Sequence, residues 1–215
     1  MGCLQIIPHN LLTFITVNKM KQTILIFLSF LFIYSSGNAQ TPDSIYTLTA
    51  YVGAGYVRNV TTFDFEFPGL NRNGFLANLR VMWKPDYRIR AGIEIGRTDV
   101  YSVDEASIQT DSGATSLQTD VYAWTFMAVF SMSIINNLEI NVGTGLAFTT
   151  VNNSAFGIES ISTDASSTFM ISTGYFIPVS KDLQVGAELS GTYIPKYDDY
   201  LLALQISLAY TFLEW

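Results

Sequence analysis

Apolar and polar residues alternate one by one through eight stretches of this chain, and that alternation restricts the possible folds more than any other feature. In residues 45–57, Tyr46, Leu48, Ala50 and Val52 share one parity and Thr47, Thr49, Tyr51 and Gly53 share the other. Successive side chains of a β-strand point to opposite faces, so this period of two predicts long strands with one apolar face. The eight predicted strands are residues 45–57, 75–84, 88–98, 121–134, 138–150, 168–179, 183–194 and 200–212.

The connections between the predicted strands alternate in length. Residues 85–87, 136–137 and 180–182 are short turns, whereas residues 58–74, 99–120 and 151–167 are long and polar and residues 195–199 are intermediate. In an up-and-down arrangement the short and the long connections fall at opposite ends. The pattern predicts an all-β protein: a closed, eight-stranded, antiparallel, up-and-down transmembrane β-barrel.

Residues 20–39 have the three regions of a secretory signal peptide. Met20 and Lys21 precede an apolar run at residues 23–34, and small residues follow it up to Ala39. The run is shorter than the roughly 20 residues of a spanning helix. We therefore expect cleavage after Ala39 and a barrel domain at residues 40–215. Residues 1–19 are expected to be a disordered extension or the product of a mis-assigned start.

With its strand pattern, alternating connections and leader, the chain resembles the small eight-stranded outer-membrane β-barrels, the OmpA/OmpX-like family, across residues 45–212. No diagnostic linear motif adds to this. The resemblance implies export to the outer membrane of a Gram-negative bacterium, contact with lipid and lipopolysaccharide, and a monomer.

The resemblance also implies that the outer-membrane assembly machinery recognises the C-terminal strand, which in this family typically ends in an aromatic residue. Phe212 matches that pattern, but the chain continues through Leu213 to Trp215. Trp215 has the opposite parity, so it could face the lipid only through a bulge. We expect Phe212 to make the interfacial contact and residues 213–215 to form a frayed tail.

Charged residues inside the predicted strands share the parity of the polar face. One arginine on the lipid face near the midplane would cost about 2–4 kcal/mol, so we expect an interior polar network. Its members are Arg80, Arg90, Glu94, Glu139 and Glu188. The turn at residues 85–87 would place Arg80 diagonally opposite Glu94, within reach of an ion pair. Because side chains just fill an eight-stranded barrel, a structural plug is favoured over a gated ion path.

The composition argues against several classes of function. The net charge of −7, with only 11 basic residues, disfavours nucleic-acid binding. The single histidine and the single cysteine, His9 and Cys3, both precede the expected cleavage point. A serine hydrolase would then lack its general base, so we expect no enzyme, no cofactor and no metal site.

The long connections are where a surface function is expected. Phe63, Phe65 and Phe67 alternate with acidic residues, which predicts either a hairpin packed on neighbouring loops or a sheet edge that captures a partner. Residues 99–120 contain acidic but no basic residues and are expected to be a solvated loop.

Three functions stay open. The first is a non-enzymatic barrel with a plugged polar interior that serves envelope structure or surface interaction through its external loops. The second is a narrow porin-like channel for water, ions or small solutes. The third is a secreted lipocalin-like ligand-binding barrel. Glycines on the polar face and aromatic residues near the strand ends weigh against the third; those aromatics are Tyr46, Tyr56, Trp83, Trp124, Tyr193, Tyr210 and Phe212.

Overall fold

A computed structural model describes residues 46–61, 69–85, 89–110, 113–135, 137–155 and 158–215, with the side chains of residues 105–110 and 113–117 left out. The expected leader and the predicted loop residues Phe63, Phe65 and Phe67 lie outside the described residues.

The described chain forms nine β-strands. They are β1 Thr47–Asn59, β2 Leu70–Asn71, β3 Asn73–Lys84, β4 Ile89–Thr110, β5 Gly113–Ile135, β6 Leu138–Ala155, β7 Ile158–Pro178, β8 Leu183–Ile194 and β9 Asp199–Glu214. The two-residue strand β2 pairs only with β4, while the other eight form a ring in which β1 closes on β9 and every pairing is antiparallel. The expected closed eight-stranded barrel is confirmed. Within the described residues no helix is long and apolar enough to span a membrane.

The alternation in sequence becomes the inside and the outside of the barrel. On β4, Ile93 is 64% exposed on the outer face while its neighbour Glu94 is 3% exposed inside. On β9, Ile206 is 68% exposed and its neighbour Gln205 is 2% exposed. An apolar exterior around an interior that holds the charged side chains is the reverse of a soluble barrel and suits a hydrocarbon surrounding. The transmembrane class of the fold follows from this.

The strand ends divide the barrel into a short-turn end and a hairpin end. At the short-turn end lie the connections β3–β4, β5–β6 and β7–β8; at the hairpin end lie β4–β5 and β6–β7, together with the turn at residues 195–198. Tyr46 directly precedes β1, and Tyr56 lies near the hairpin end of that strand. Their separation of ten residues, on a strand tilted by about 40°, spans about 25 Å along the barrel axis. That distance matches an apolar band bordered by aromatic residues.

The described residues of the predicted long loops at 99–120 and 151–167 are instead β-structure. β4 pairs with β5 as far as Thr110–Gly113, and β6 pairs with β7 as far as Ala155–Ile158. The expectation of an irregular loop is therefore wrong for the described residues, although the side chains of Asp104 and Asp120 are exposed to solvent. Pairing between the strands provides hydrogen-bond partners for the backbone N–H and C=O groups beyond the membrane. Polar residues that alternate only weakly therefore still form paired strands there.

The C-terminal strand differs from the expected frayed tail. Leu48 pairs with Leu213 and Thr49 with Thr211, so Phe212 is the extra residue of a β-bulge. The backbones of Tyr46 and Trp215 then exchange two hydrogen bonds, of 2.9 Å and 3.1 Å. The bulge reverses the parity and brings Trp215 onto the lipid face, because two residues oppose one at that point.

Apolar side chains fill much of the interior on either side of the charged residues. The upper cluster, towards the hairpin end, contains Val57, Val100, Val121, Ala123, Ala147, Ile194, Leu201 and Ala203. The lower cluster contains Tyr51, Met82, Met127, Val129, Met170, Phe176 and Ala209. The alternation in the sequence predicts a polar inner face, and these apolar layers are a departure from it.

Candidate functional site: the charged interior and the hairpin end

Arg80 on β3 lies between two buried glutamates. Its Nε donates to Glu94 Oε2 at 2.6 Å, and its terminal Nη2 donates to Glu188 Oε1 at the same distance. The three side chains are between 1% and 3% exposed. Such buried ions persist only when paired and hydrogen-bonded.

Neutral groups complete the hydrogen bonding of Glu188. Ser172 Oγ donates to Glu188 Oε1 at 3.3 Å, and Gln205 Nε2 donates to the same oxygen at 3.1 Å. Asn141 Nδ2 in turn donates to Ser172 Oγ at 2.9 Å. Strands β3, β4, β6, β7, β8 and β9 thus contribute to one network, which we call the Arg80 network.

The pairing of Arg80 with Glu94 differs in geometry from the sequence expectation. The two residues lie directly opposite each other in the register of β3 and β4 rather than on a diagonal. Trp83 pairs with Ala91, two residues further along β4 than Ile89, which a three-residue turn at residues 85–87 would place opposite it.

Arg90 forms a second ion pair nearer the short-turn end. Its Nη1 donates to Glu139 Oε1 and to the Tyr51 hydroxyl, both at 2.6 Å, and its Nη2 donates to Ser133 Oγ at 3.3 Å. Arg90 is 17% exposed because it borders a recess of about 330 Å³ that opens at this end. All five charged residues expected inside are therefore inside, in two separate groups.

Phe176 is an interior residue that the sequence reasoning missed. Its ring is 1% exposed and packs edge-on against Tyr51, with ring centroids 5.5 Å apart. Two glycines make the space: a Cβ on Gly174 would lie 2.7 Å from the ring, and one on Gly186 would lie 2.5 Å from it. The sequence contains a signal for this position: Phe176 has the same parity as Gly174, which lies on the inner face.

A polar group at the hairpin end holds the β8–β9 turn against β1. Asn59 Nδ2 donates to Asp199 Oδ1 at 3.0 Å, and Thr61 N donates to Asn59 Oδ1 at 2.9 Å. Burial raises the pKa of Asp199 above the ordinary carboxyl value, against the hydrogen bonds from Asn59 and Thr61. Asp199 is therefore a buried residue at the start of β9, whereas its neighbour Asp198 is exposed in the turn.

One edge of the hairpin end lacks a neighbouring strand. β7 begins to pair with β8 only at Phe169, so its residues 158–168 pair with β6 alone among the described strands. Lys196 Nζ and the Tyr197 hydroxyl both donate to Asp164, the latter at 3.1 Å, and cover the lower part of this edge. Ile158–Thr163 is left as an exposed edge, in which Ile161 is 73% exposed.

No family model matches this chain, and no curated protein matches its sequence. Among solved structures, the chain is similar to a major outer membrane protein from Thermus thermophilus, with 11% identity over 78% of this chain and 99% of that chain and a TM-score of 0.50. This chain has the fold of an outer-membrane β-barrel.

Two further similar structures have lower scores. The attachment invasion locus protein Ail of Yersinia pestis, solved in complex with the heparin analogue sucrose octasulfate, is 10% identical over 80% of this chain and all of that chain, with a TM-score of 0.48. Neisserial surface protein A is 14% identical over 80% of this chain and all of that chain, with a TM-score of 0.45.

Proposed function

We propose that this chain is a non-enzymatic outer-membrane barrel of a Gram-negative bacterium whose interior is closed to solutes and whose hairpin end binds an external partner. The exposed β7 edge, Ile158–Thr163, is the observation that carries this proposal. A signal peptide at residues 20–39, cleaved after Ala39, would export the chain.

Location in the outer membrane is supported by the exterior of the barrel. Aromatic residues border an apolar band at both ends, with Trp83 and Tyr210 at the short-turn end and Tyr56 and Trp124 at the hairpin end. Arg97, a basic residue of lipid-face parity on β4, lies at the hairpin side of this band. Its guanidinium lies 5.0 Å from the centre of the Tyr122 ring and 3.6 Å from Asp99. An arginine at this depth reaches the head groups at little cost.

A closed interior is supported by the packing of side chains across it. The upper apolar cluster and the Arg80 network lie at successive depths, with Val57 completely buried and Arg80 2% exposed. A conducting path would need a continuous wet passage. Purified protein in planar bilayers should therefore show no stable conductance steps, and regular steps would favour the alternative, a narrow channel entered through the recess at Arg90.

A non-enzymatic role is supported by the residues available for chemistry. Residues 46–215 contain neither histidine nor cysteine. A serine nucleophile would have no imidazole to accept its proton.

Partner binding at the hairpin end is supported by the geometry of the β7 edge. An edge strand presents unpaired N–H and C=O groups, and an extended segment of a partner can add to it as a further strand. Ile158 and Ile161, 71% and 73% exposed, provide apolar side-chain contacts at this edge.

Binding of whole cells to immobilised extracellular proteins tests this role. We expect Ile161→Lys to lose binding that wild type shows, because a charge on an edge strand blocks pairing, while Ile161→Val retains it. Equal binding by the Lys variant would exclude the edge as the contact.

A further inference from the structure

The Arg80 network carries more negative than positive charge. Arg80 contributes one positive charge, and Glu94 and Glu188 contribute two negative charges, all at 3% exposure or less. The other members described above, Ser172, Gln205 and Asn141, are neutral. The positive charge of Arg90 is paired with Glu139, in the second ion pair nearer the short-turn end. Among the described residues, the Arg80 network is therefore left with one formal negative charge that has no cationic partner.

A small cavity adjoins this network. It has a volume of about 20 Å³, and its lining includes Glu94, Glu188 and Gln205 together with the oxygen-bearing side chains of Asn78, Thr125 and Ser190. Gly96, Thr98, Thr192 and apolar side chains of the two clusters form the rest of its walls. A space of this size holds one particle the size of a water molecule.

Gln205, which lines the cavity, has a side-chain oxygen that could bind a ligand there. Its side chain is 2% exposed, and its Nε2 already donates to Glu188. Its Oε1 is buried and accepts no hydrogen bond from any described residue. A buried amide oxygen without a partner costs about 1–3 kcal/mol, so native proteins rarely retain one.

We propose that this cavity binds a single monovalent metal cation, sodium by size, through oxygen atoms of Glu94, Glu188 and Gln205. One positive charge brings the Arg80 network to neutrality, and the cation coordinates the unpartnered amide oxygen. A water molecule could donate a hydrogen bond to that oxygen, but it would not neutralise the negative charge of the Arg80 network. A calcium ion, with two positive charges, would leave the Arg80 network with a surplus positive charge instead of neutralising it.

The consequence for the protein is linkage between sodium and folding. A ligand that binds only the folded state raises the free energy of unfolding. Above the dissociation constant, this increase grows with the logarithm of the ligand concentration. Urea unfolding of the folded barrel in detergent is compared in sodium chloride and in choline chloride at equal ionic strength. We expect the unfolding midpoint to rise with sodium and not with choline.

Two variants locate the effect. Glu94→Gln removes the surplus charge and should abolish the difference between sodium and choline. Glu139→Gln, in the Arg90 group away from the cavity, should retain it. Line broadening of the sodium-23 resonance by wild-type protein, absent with detergent alone, gives a reading that does not depend on any variant folding.

Identical midpoints in the two salts, with no sodium-23 broadening, would overturn the proposal. So would stabilisation on acidification that is the same in sodium and in choline, because a proton on one glutamate would then balance the charge. Retention of the sodium effect in Glu94→Gln together with its loss in Glu139→Gln would also overturn it.

Discussion

Arg80 on β3 and Glu188 on β8 meet at 2.6 Å inside the barrel, although β1 and β9 separate their strands in the sheet. The contact therefore crosses the interior instead of following the backbone ladder. It ties the two sides of the β1–β9 closure together, and both partners are at most 2% exposed.

Glu188→Ala should destabilise the folded barrel by about 3–5 kcal/mol, because it leaves a buried arginine with one partner fewer and strips Ser172 and Gln205 of their acceptor. Urea unfolding in detergent measures the loss. Glu159→Ala, on the exposed part of β7, is the control and should change stability by no more than about 0.5 kcal/mol. A loss in Glu188→Ala as small as the control's would show that the cross-barrel contact does not stabilise the fold.

Gly174→Ala should destabilise the barrel by about 1–3 kcal/mol, because the new Cβ would overlap the Phe176 ring at 2.7 Å. Gly191→Ala is the matched control, since its nearest neighbour atom lies at 3.7 Å. Combining Gly174→Ala with Phe176→Leu should recover part of the loss, because the contact atoms of the ring are removed. Equal effects of the two glycine substitutions on the unfolding midpoint would contradict this packing.

Removal of residues 213–215 should impair folding more than Phe212→Ala. The Tyr46 ring lies between Trp83 and Trp215, with centroid distances of 6.4 Å and 5.9 Å, and the backbones of Tyr46 and Trp215 hydrogen-bond to each other. Truncation removes this stack, worth about 0.5–1.5 kcal/mol per aromatic pair, together with the backbone pairing. Heat-modifiability gels report the folded fraction; normal folding of the truncated chain beside failure of Phe212→Ala would favour the frayed-tail expectation.

Asp164 should titrate below an ordinary carboxyl group. The hydrogen bond from Lys196, supported by that from Tyr197, lowers the pKa of Asp164. A lowered folded-state pKa means that the contact stabilises the hairpin above the ordinary carboxyl pKa and is lost as the pH falls through the lowered value. Carboxyl carbon-13 titration by NMR measures this, and Lys196→Met should return the pKa towards its usual value. An unchanged pKa in that variant would exclude the pair as the cause.

Strand parity was sufficient to predict the fold and the side of the barrel on which each charge lies. Parity holds locally, so Arg80 and Glu94, 14 residues apart on adjacent strands, could be paired from the sequence. The meeting of Arg80 with Glu188, 108 residues further on, depends on the stagger of the whole ring and on the width of the interior. No local pattern carries that information.

Two departures from parity explain the main errors. The bulge at Phe212 adds one residue to β9, and the alternation of apolar and polar residues at 200–212 does not indicate it. In the hairpins, Ser- and Thr-rich stretches such as residues 160–167 lack an apolar face because neither side is embedded in lipid. Their strands are held by backbone pairing, which periodicity does not detect.

Cysteine labelling on intact cells tests the central claim, that a membrane-spanning barrel presents its hairpin end at the cell surface. In a Cys3→Ser background, single cysteines replace Ser160 on the β7 edge and Lys181 in the β7–β8 turn, both exposed positions. We predict that a membrane-impermeant maleimide labels Ser160→Cys on intact cells and labels Lys181→Cys only after the outer membrane is permeabilised. The reverse pattern, or equal labelling of both positions on intact cells, would contradict the account.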